Sequence, residues 1–256
     1  MKIGIMQPTY LPWIGYFDMM DQVDTFVLLD HVQFSKQSWQ QRNRIKTPHG
    51  LEWLTVPVEV KGKSRQSIVD VRVQTAQFAK KHVHALEMHY ARAAFGAAVI
   101  RELAGLLLRE PPWESLAELN VALIGWISRS LGIVTPVVRS STLAPRGERT
   151  EALVSICEQL GGTHYLSALG SAEYLLGDLH FFEARGIPVT FHHYVHPKYT
   201  QLYPPFVPYA SAIDLLCNEG PGALAVLRSG RRPDLSPAAV RQTLETREAA
   251  SVDHPV

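Results

Sequence analysis

The chain has 256 residues, 46% hydrophobic and 19% charged, with a formal net charge of +1. That length and apolar fraction suffice for one large domain or two small ones with a real core, and the near-zero charge leaves no global field to draw nucleic acid or an anionic membrane. Two cysteines, Cys157 and Cys217, without a Cys-x-x-Cys pair argue for a reducing compartment and against structural zinc. No segment nears the ~20 apolar residues of a membrane span, and no early apolar run is long enough for a signal peptide, so a cytoplasmic protein is expected.

In chain order, residues 2–6 read as a buried strand and Pro8 and Pro12 as turn punctuation. Residues 14–23 place Ile14, Phe17 and Met20 at helical spacing, with Asp18 and Asp21 on the other face. Residues 25–29 are β-branched and apolar. A strand–helix–strand unit of ~30 residues has the size of a right-handed parallel crossover. Residues 51–60 and 68–73 look like two more strands around Gly62-Lys63. Residues 74–109 are helix formers, too long for one helix and broken near 94–96; residues 113–131 form another long helix, stopped by Gly132. A strand at 133–138, a helix at 150–160 ending on Gly161-Gly162, a short strand at 164–166, a short helix at 172–176, a strand at 187–192 and a helix at 211–218 complete the pattern. From Gly230 large apolar side chains thin out.

The expected fold is α/β: a mostly parallel Rossmann-like sheet flanked by helices. Residues 1–229 form one domain with a helical segment of about 75–131 inserted in it or packed on it, and 230–256 form a flexible tail with one weak helix.

Three stretches carry a resemblance. Residues 6–17 hold Met6-Gln7-Pro8, then Leu11-Pro12-Trp13-Ile14-Gly15-Tyr16-Phe17. Residues 30–58 hold Asp30-His31-Val32-Gln33-Phe34-Ser35-Lys36, Trp39-Gln40-Gln41-Arg42-Asn43-Arg44-Ile45-Lys46 and Trp53-Leu54-Thr55-Val56-Pro57. Residues 165–220 hold Tyr165-Leu166-Ser167, His196-Pro197-Lys198-Tyr199-Thr200-Gln201, and Ser211, Asp214, Asn218 and Gly220. In this order they resemble the WbqC-like proteins of bacterial polysaccharide and secondary-metabolite gene clusters. The resemblance implies a transferase that passes glycine or another acyl unit to an amine, often on an amino sugar. This chain departs from that pattern at His31, Gln41, the 168–170 turn and Cys217; the first two lie inside the implied site and bear on substrate identity.

Ligands of open α/β sheets bind beyond the carboxyl ends of the strands, where Gln7 and Asp30 fall. Gln7 reads as an amide donor or as a partner for backbone left open at Pro8. Asp30 reads as an anchor for an amine, a base, or a salt-bridge partner of Arg42 or Arg44. Lys36, Arg42 and Arg44, interleaved with Gln33, Trp39 and Asn43, suit a carboxylate, phosphate or pyrophosphate; the alternative is a solvated basic loop. His192 and His193 point to opposite faces of a strand end and make a poor metal pair. His196, in a loop beside Tyr199, suits general acid–base work. Cys217 and Cys157 read as core. Ser211, Asp214 and Asn218 share one helical face, as a cleft lining or as a cap and a helix stop.

The expected catalytic set is therefore His196, Asp30 and Asn43. The expected binding set is Gln7, Tyr10, Gln33, Lys36, Arg42, Arg44, Tyr199, Gln201, Ser211, Asp214 and Asn218, with Trp39, Trp53 and Tyr199 as aromatic walls. No metal or cofactor is expected. Gly-x-Gly-x-x-Gly, the Walker loop and His-x-Gly-His are all absent. The leading reading is amide formation from an activated acyl donor such as a carrier-bound thioester, with a small-molecule substrate and an acyl carrier protein as partners. The rivals are a non-catalytic protein that holds a sugar nucleotide or a carrier, and a hydrolase using the same groups. All of them need the segment near Arg42 and the imidazole of His196 to face one hollow.

Overall fold

In the computed structural model, residues 1–63 and 65–252 are described, with side chains up to residue 246. The chain begins with β1 (Lys2–Met6), crosses over through α1 (Ile14–Asp21) and returns as β2 (Thr25–Leu28). There follow an antiparallel hairpin of β3 (Arg42–Thr47) and β4 (Gly50–Thr55), and the helices α2 (Gln77–Tyr90), α3 (Gly96–Leu107) and α4 (Leu116–Leu131). β5 (Val137–Arg139), α5 (Thr150–Gln159), β6 (His164–Ala168), α6 (Ala172–Leu175), α7 (His180–Glu183) and β7 (Val189–His192) complete the α/β part. α8 (Ala212–Glu219), α9 (Ala223–Ser229) and α10 (Pro237–Val252) close the chain.

Five strands form one parallel sheet in the order β5-β2-β1-β6-β7. Its strands are short apolar runs because both faces are covered. Phe26, Leu28 and Leu166 pack into a core shared with α1, α4 and α8, while Ile3, Ile5, Val27 and Tyr165 pack on the other side against α5 and Phe182. The chain walks outward from β1 through β2 to β5, then jumps back across β1 to β6 and β7. The order reverses between β1 and β6, and that reversal opens a crevice beyond their carboxyl ends. The helical segment is packed on the first core: Leu86, Leu103, Leu119, Leu123 and Ile127 are buried there.

Three sequence expectations change. Residues 42–47, read as a cationic loop, form β3. Arg42, Asn43, Arg44, Ile45, Lys46 and Thr47 pair in register with Thr55 back to Gly50, so alternate side chains face opposite ways. Ile68–Asp70 is a 3-10 turn rather than a strand; only isolated bridges, Val58 with Val73 and Arg72 with Ser115, join this stretch to its neighbours. The residues after Gly230 hold more contacts than their composition suggests. Arg231 reaches Asp18 at 3.0 Å and Asp21 at 2.5 Å, Leu235 bridges Phe191, and Val240 is buried against the sheet. A few apolar side chains suffice when each lands on an open core face. Residues 253–256 of the expected tail lie outside the described residues.

Candidate functional site

Three connected hollows follow the crevice. The largest, about 420 Å³, sits over the ends of β1 and β6 and is lined by Met6, Gln7, Trp39, Gln40, Ala168 and Tyr174. A second, about 250 Å³, shares Met6, Thr9 and Trp39 with it and adds Trp13, Asn43, Arg44 and Tyr209. A third, about 220 Å³, shares Gln7, Leu29 and Tyr174 with the largest and ends at Arg149. Strand ends supply the floor, the loop before β3 supplies one wall, and the turn before α1 supplies another. A fourth hollow, about 290 Å³, lies on α5 among Arg146, Glu158 and Arg185, away from the strand ends.

The local sequence explains these walls. Trp13 lies across the first turn of α1, where a β-carbon on Gly15 would stand 2.2 Å from its indole. Only glycine lets the ring lie there. Asn43 donates from Nδ2 to the carbonyls of Tyr10 (3.1 Å) and Leu11 (2.7 Å), while its Oδ1 accepts the Arg44 N–H at 2.8 Å. These bonds hold the tight turn in which Leu11 adopts φ +43°. Asn120 of α4 donates to the carbonyls of Pro8 (3.2 Å) and Gln40 (2.8 Å), tying the helical segment to two cleft loops. Gln40 donates to Gln7 Oε1 at 2.8 Å, so this bond engages the carbonyl end of the Gln7 amide.

Arg42 and Arg44, two apart on β3, share one face with Trp53 of β4 and with Trp39. The Arg42 guanidinium lies 4.2 Å from the Trp53 ring centre, and that of Arg44 lies 5.4 Å and 5.3 Å from Trp39 and Trp53. The two indoles are 5.2 Å apart and each is 45% exposed. Among the described residues neither guanidinium meets a carboxylate, and the Nε of each is buried without a partner. Lys36 and Gln33 are exposed on the preceding loop and line none of the four hollows; Gln33 bridges Ser67.

The structure gives other expected site residues different work. Asp30 is fully buried. Its carboxylate takes the Arg139 guanidinium at 2.6 Å, Ser140 Oγ at 3.1 Å, and the Ser141 N–H and Oγ at 2.9 and 3.0 Å. Burial by itself would raise its pKa, but Arg139 and the Ser141 bonds outweigh that and hold it below the usual carboxylate range. This joins the ends of β2 and β5 and leaves a poor base; the ion-pair partner is Arg139, not Arg42 or Arg44. Tyr10 is buried and bonds His82 Nδ1 at 2.7 Å inside the core. Tyr199 donates to Asp214 at 2.6 Å and Gln201 Nε2 to the same oxygen at 2.9 Å, beneath α8 and away from the hollows. Burial raises the Asp214 pKa, opposed by the bonds from Tyr199, Gln201 and Tyr90 and the charge of Lys46. Ser211 caps α8 by accepting the Ile213 N–H at 3.3 Å, and Asn218 bonds back to the Asp214 carbonyl at 2.7 Å. Of this polar stripe only Ser211 acts as a cap; Asp214 is taken by Tyr199 and Gln201, and Asn218 bonds one turn back on its own helix, which ends at Gly220. Cys157 and Cys217 are buried, and burial pushes the Cys157 thiol up to about 12.

His196 sits one ring behind the cleft. Its ring centre is 6.1 Å from that of Trp13 and 5.3 Å from that of Tyr209, and both of those rings line the 250 Å³ hollow. Nδ1 bonds the Pro197 carbonyl at 2.9 Å, Nε2 is buried without a partner, and burial lowers the pKa, weakly opposed by that bond. Arg44 and His196 therefore lie on the same side of the molecule with an aromatic wall between them, and Arg42 stands outside on Trp53. Sequence reasoning did not single out Trp13, Gln40, Arg149, Tyr174 or Tyr209 as site residues. Gln40 and Trp13 sit inside the quoted motifs and were legible there; Tyr209 at φ +65° and Arg149 at φ +51° owe their places to backbone geometry that no motif announces. No three His, Cys, Asp or Glu side chains gather as metal ligands among the described residues, and no helix there is long and apolar enough to cross a membrane.

A model of the WbqC-like protein family matches residues 7–226. An uncharacterized protein of Mycobacterium tuberculosis, Rv1507c, is 38% identical over 232 residues, which cover 90% of this chain and 99% of that protein. No solved structure matches the chain.

Proposed function

The chain belongs to the WbqC-like protein family, and from that premise we propose that it is an acyl or aminoacyl transferase, forming an amide by gathering an activated donor and an amine in the switch-point cleft. The observation that carries this reading is Arg44, a guanidinium with no carboxylate partner among the described residues, lining a hollow walled by Trp13, Trp39 and Tyr209. It suits the phosphate or carboxylate of a substrate. Gln7, at the end of β1, lines the two neighbouring hollows and gives its carbonyl end to Gln40. Its amide N–H₂ is the donor for the oxyanion that forms as the amine attacks. The residues lining the three hollows include no carboxylate and no imidazole.

A thioester donor suits such a site. The C–N bond forms, the C–S bond breaks, and the departing thiolate takes the amine proton, so no side chain has to act as the base. Rate then comes from holding both reactants together. His196 supports Trp13 and Tyr209 from behind and sets where Arg44 meets its ligand.

The same lining favours a second reading, in which the protein holds a small molecule or carrier for another enzyme. Mass spectrometry of amino-sugar acceptors incubated with glycyl and short acyl thioesters separates the two. The transferase reading expects an acceptor gain of one acyl unit, lost at least tenfold in Arg44→Ala with a raised KM and largely kept in His196→Ala. Binding of acceptor without any mass gain under all donors leaves the accessory reading.

A further inference from the structure

We infer that the exposed face of the β3–β4 hairpin, formed by Trp39, Trp53, Arg42 and Arg44, is a seat for a nucleoside diphosphate, with the base on the indoles and the phosphates on the guanidinium groups. The inference rests on reading the adjacent cleft as an anion-binding site and names the class of ligand that enters it.

Four planar groups lie together here. The two indoles are 5.2 Å apart and tilted by 40°, and each is nearly half exposed although tryptophan usually hides most of its surface. Arg42 covers one indole at 4.2 Å, and Arg44 reaches both. Folding gains little from placing this much aromatic surface in water, whereas stacking of bases on Trp beside Arg is a general way to hold a nucleotide. The polar environment narrows the class. Sugars without phosphate need acceptors as well as donors for their hydroxyls. This face offers two cations, with no carboxylate partner for either among the described residues.

Position supports the same ligand. Trp39 borders both the 250 Å³ and the 420 Å³ hollows, and Arg44 lines the first. A base stacked at the hairpin sets its phosphates at Arg44 and directs whatever they carry over Gln7 and Gln40, toward the strand ends. The backbone is prepared for this: Tyr10 N–H donates to the Trp39 carbonyl at 2.9 Å, pinning the platform to the turn beneath the cleft. Net charge of +1 leaves a single nucleotide as a better fit than a nucleic-acid strand, which needs a basic track.

The test is tryptophan fluorescence and calorimetry of the full chain titrated with UDP, dTDP, ADP, GDP and CDP. Inorganic pyrophosphate and glucosamine are run alongside. At least one nucleotide is expected to quench the emission and to bind at least tenfold tighter than pyrophosphate. Trp39→Ala and Arg42→Gln, both surface changes checked for an unaltered melting temperature, are each expected to weaken it about tenfold or more. Equal binding of pyrophosphate and nucleotide, tighter binding of glucosamine, binding untouched by both variants, or no binding of any nucleotide would each overturn the inference. None of these readouts involves acyl transfer, so a transferase with a nucleotide-free donor, or a nucleotide binder without transferase activity, would be told apart from a failure of both.

Discussion

Two groups of polar side chains, both read from the sequence as a site, turn out to differ in one respect. Around α8, Tyr199, Gln201, Asp214 and Asn218 give their hydrogen bonds mainly to one another and to nearby backbone, and Asp214 is fully buried. At the hairpin, Arg42 and Arg44 stand half-buried against exposed indoles, and neither guanidinium meets a carboxylate among the described residues. The first group holds the fold together, since buried polar groups need partners, although Asp214 Oδ1 is buried without one. The second holds capacity in reserve. What separates the polar core from the proposed binding surface is which charged groups already have partners, and residue type alone does not tell.

The comparison can be broken by substitution. The largest effect on stability belongs to Asp30→Ala, which leaves the buried Ser141 donors without their acceptor and Arg139 with Glu118 alone; a loss of about 2–4 kcal/mol in urea denaturation is expected. A loss under 1 kcal/mol would mean that Asp30 is not the joint between β2 and β5. Asn43→Ala lies on the border of the two groups, because the side chain lines the hollow yet its bonds go to backbone. It is expected to cost about 1–3 kcal/mol. An unchanged denaturation midpoint would show that the Leu11 turn holds without it.

Stability also depends on pH through His82. Burial lowers His82 from 6.5 to about 4, a Thr55 backbone bond opposing. The unfolded chain then binds the proton more readily, so this stability is complete above pH 6.5 and is lost as pH falls toward 4. Asp214, raised by burial, acts in the opposite sense. Replacing His82 by Gln isolates the first contribution and should flatten the pH dependence in that window by up to about 1.4 kcal/mol per pH unit. The same slope in both proteins would contradict it. The smallest stability effect is expected for Trp39→Ala, within about 0.5 kcal/mol by thermal melting, because the ring is half exposed. A larger loss would place Trp39 with the structural group.

The sheet was readable because its strands are short apolar runs bounded by Pro or by Asp. The strand expected at 2–6 is the one observed, those expected at 25–29 and 187–192 are one and two residues too long, and the one expected at 133–138 shares only Val137 and Val138 with the strand that forms; the helix breaks near 94–96 and at Gly132 follow from the same local rules. β3 was not readable, since Arg-Asn-Arg-Ile-Lys-Thr alternates in facing but not in hydrophobicity; its pairing with Trp53 and Thr55 makes it a strand. Of the residues that line the hollows, Gln7, Asn43 and Arg44 stood out in the sequence from their place after strands and within motifs. The use each is put to did not. Asp30 and Arg139 are 109 residues apart, and nothing local foretells that one occupies the other. Likewise the indole of Trp13 stands between Arg44 and His196 only because the chain after β7 folds back over α1.

We place the anion seat at Arg44, in the hollow beyond β1. A crystal structure of the protein soaked with inorganic pyrophosphate tests it without reference to acyl transfer or to a base. Phosphate density is expected within about 3 Å of the Arg44 guanidinium, between Trp39 and Tyr209. Pyrophosphate bound instead among Arg146 and Arg185, with the Arg44 hollow holding only water, would contradict it.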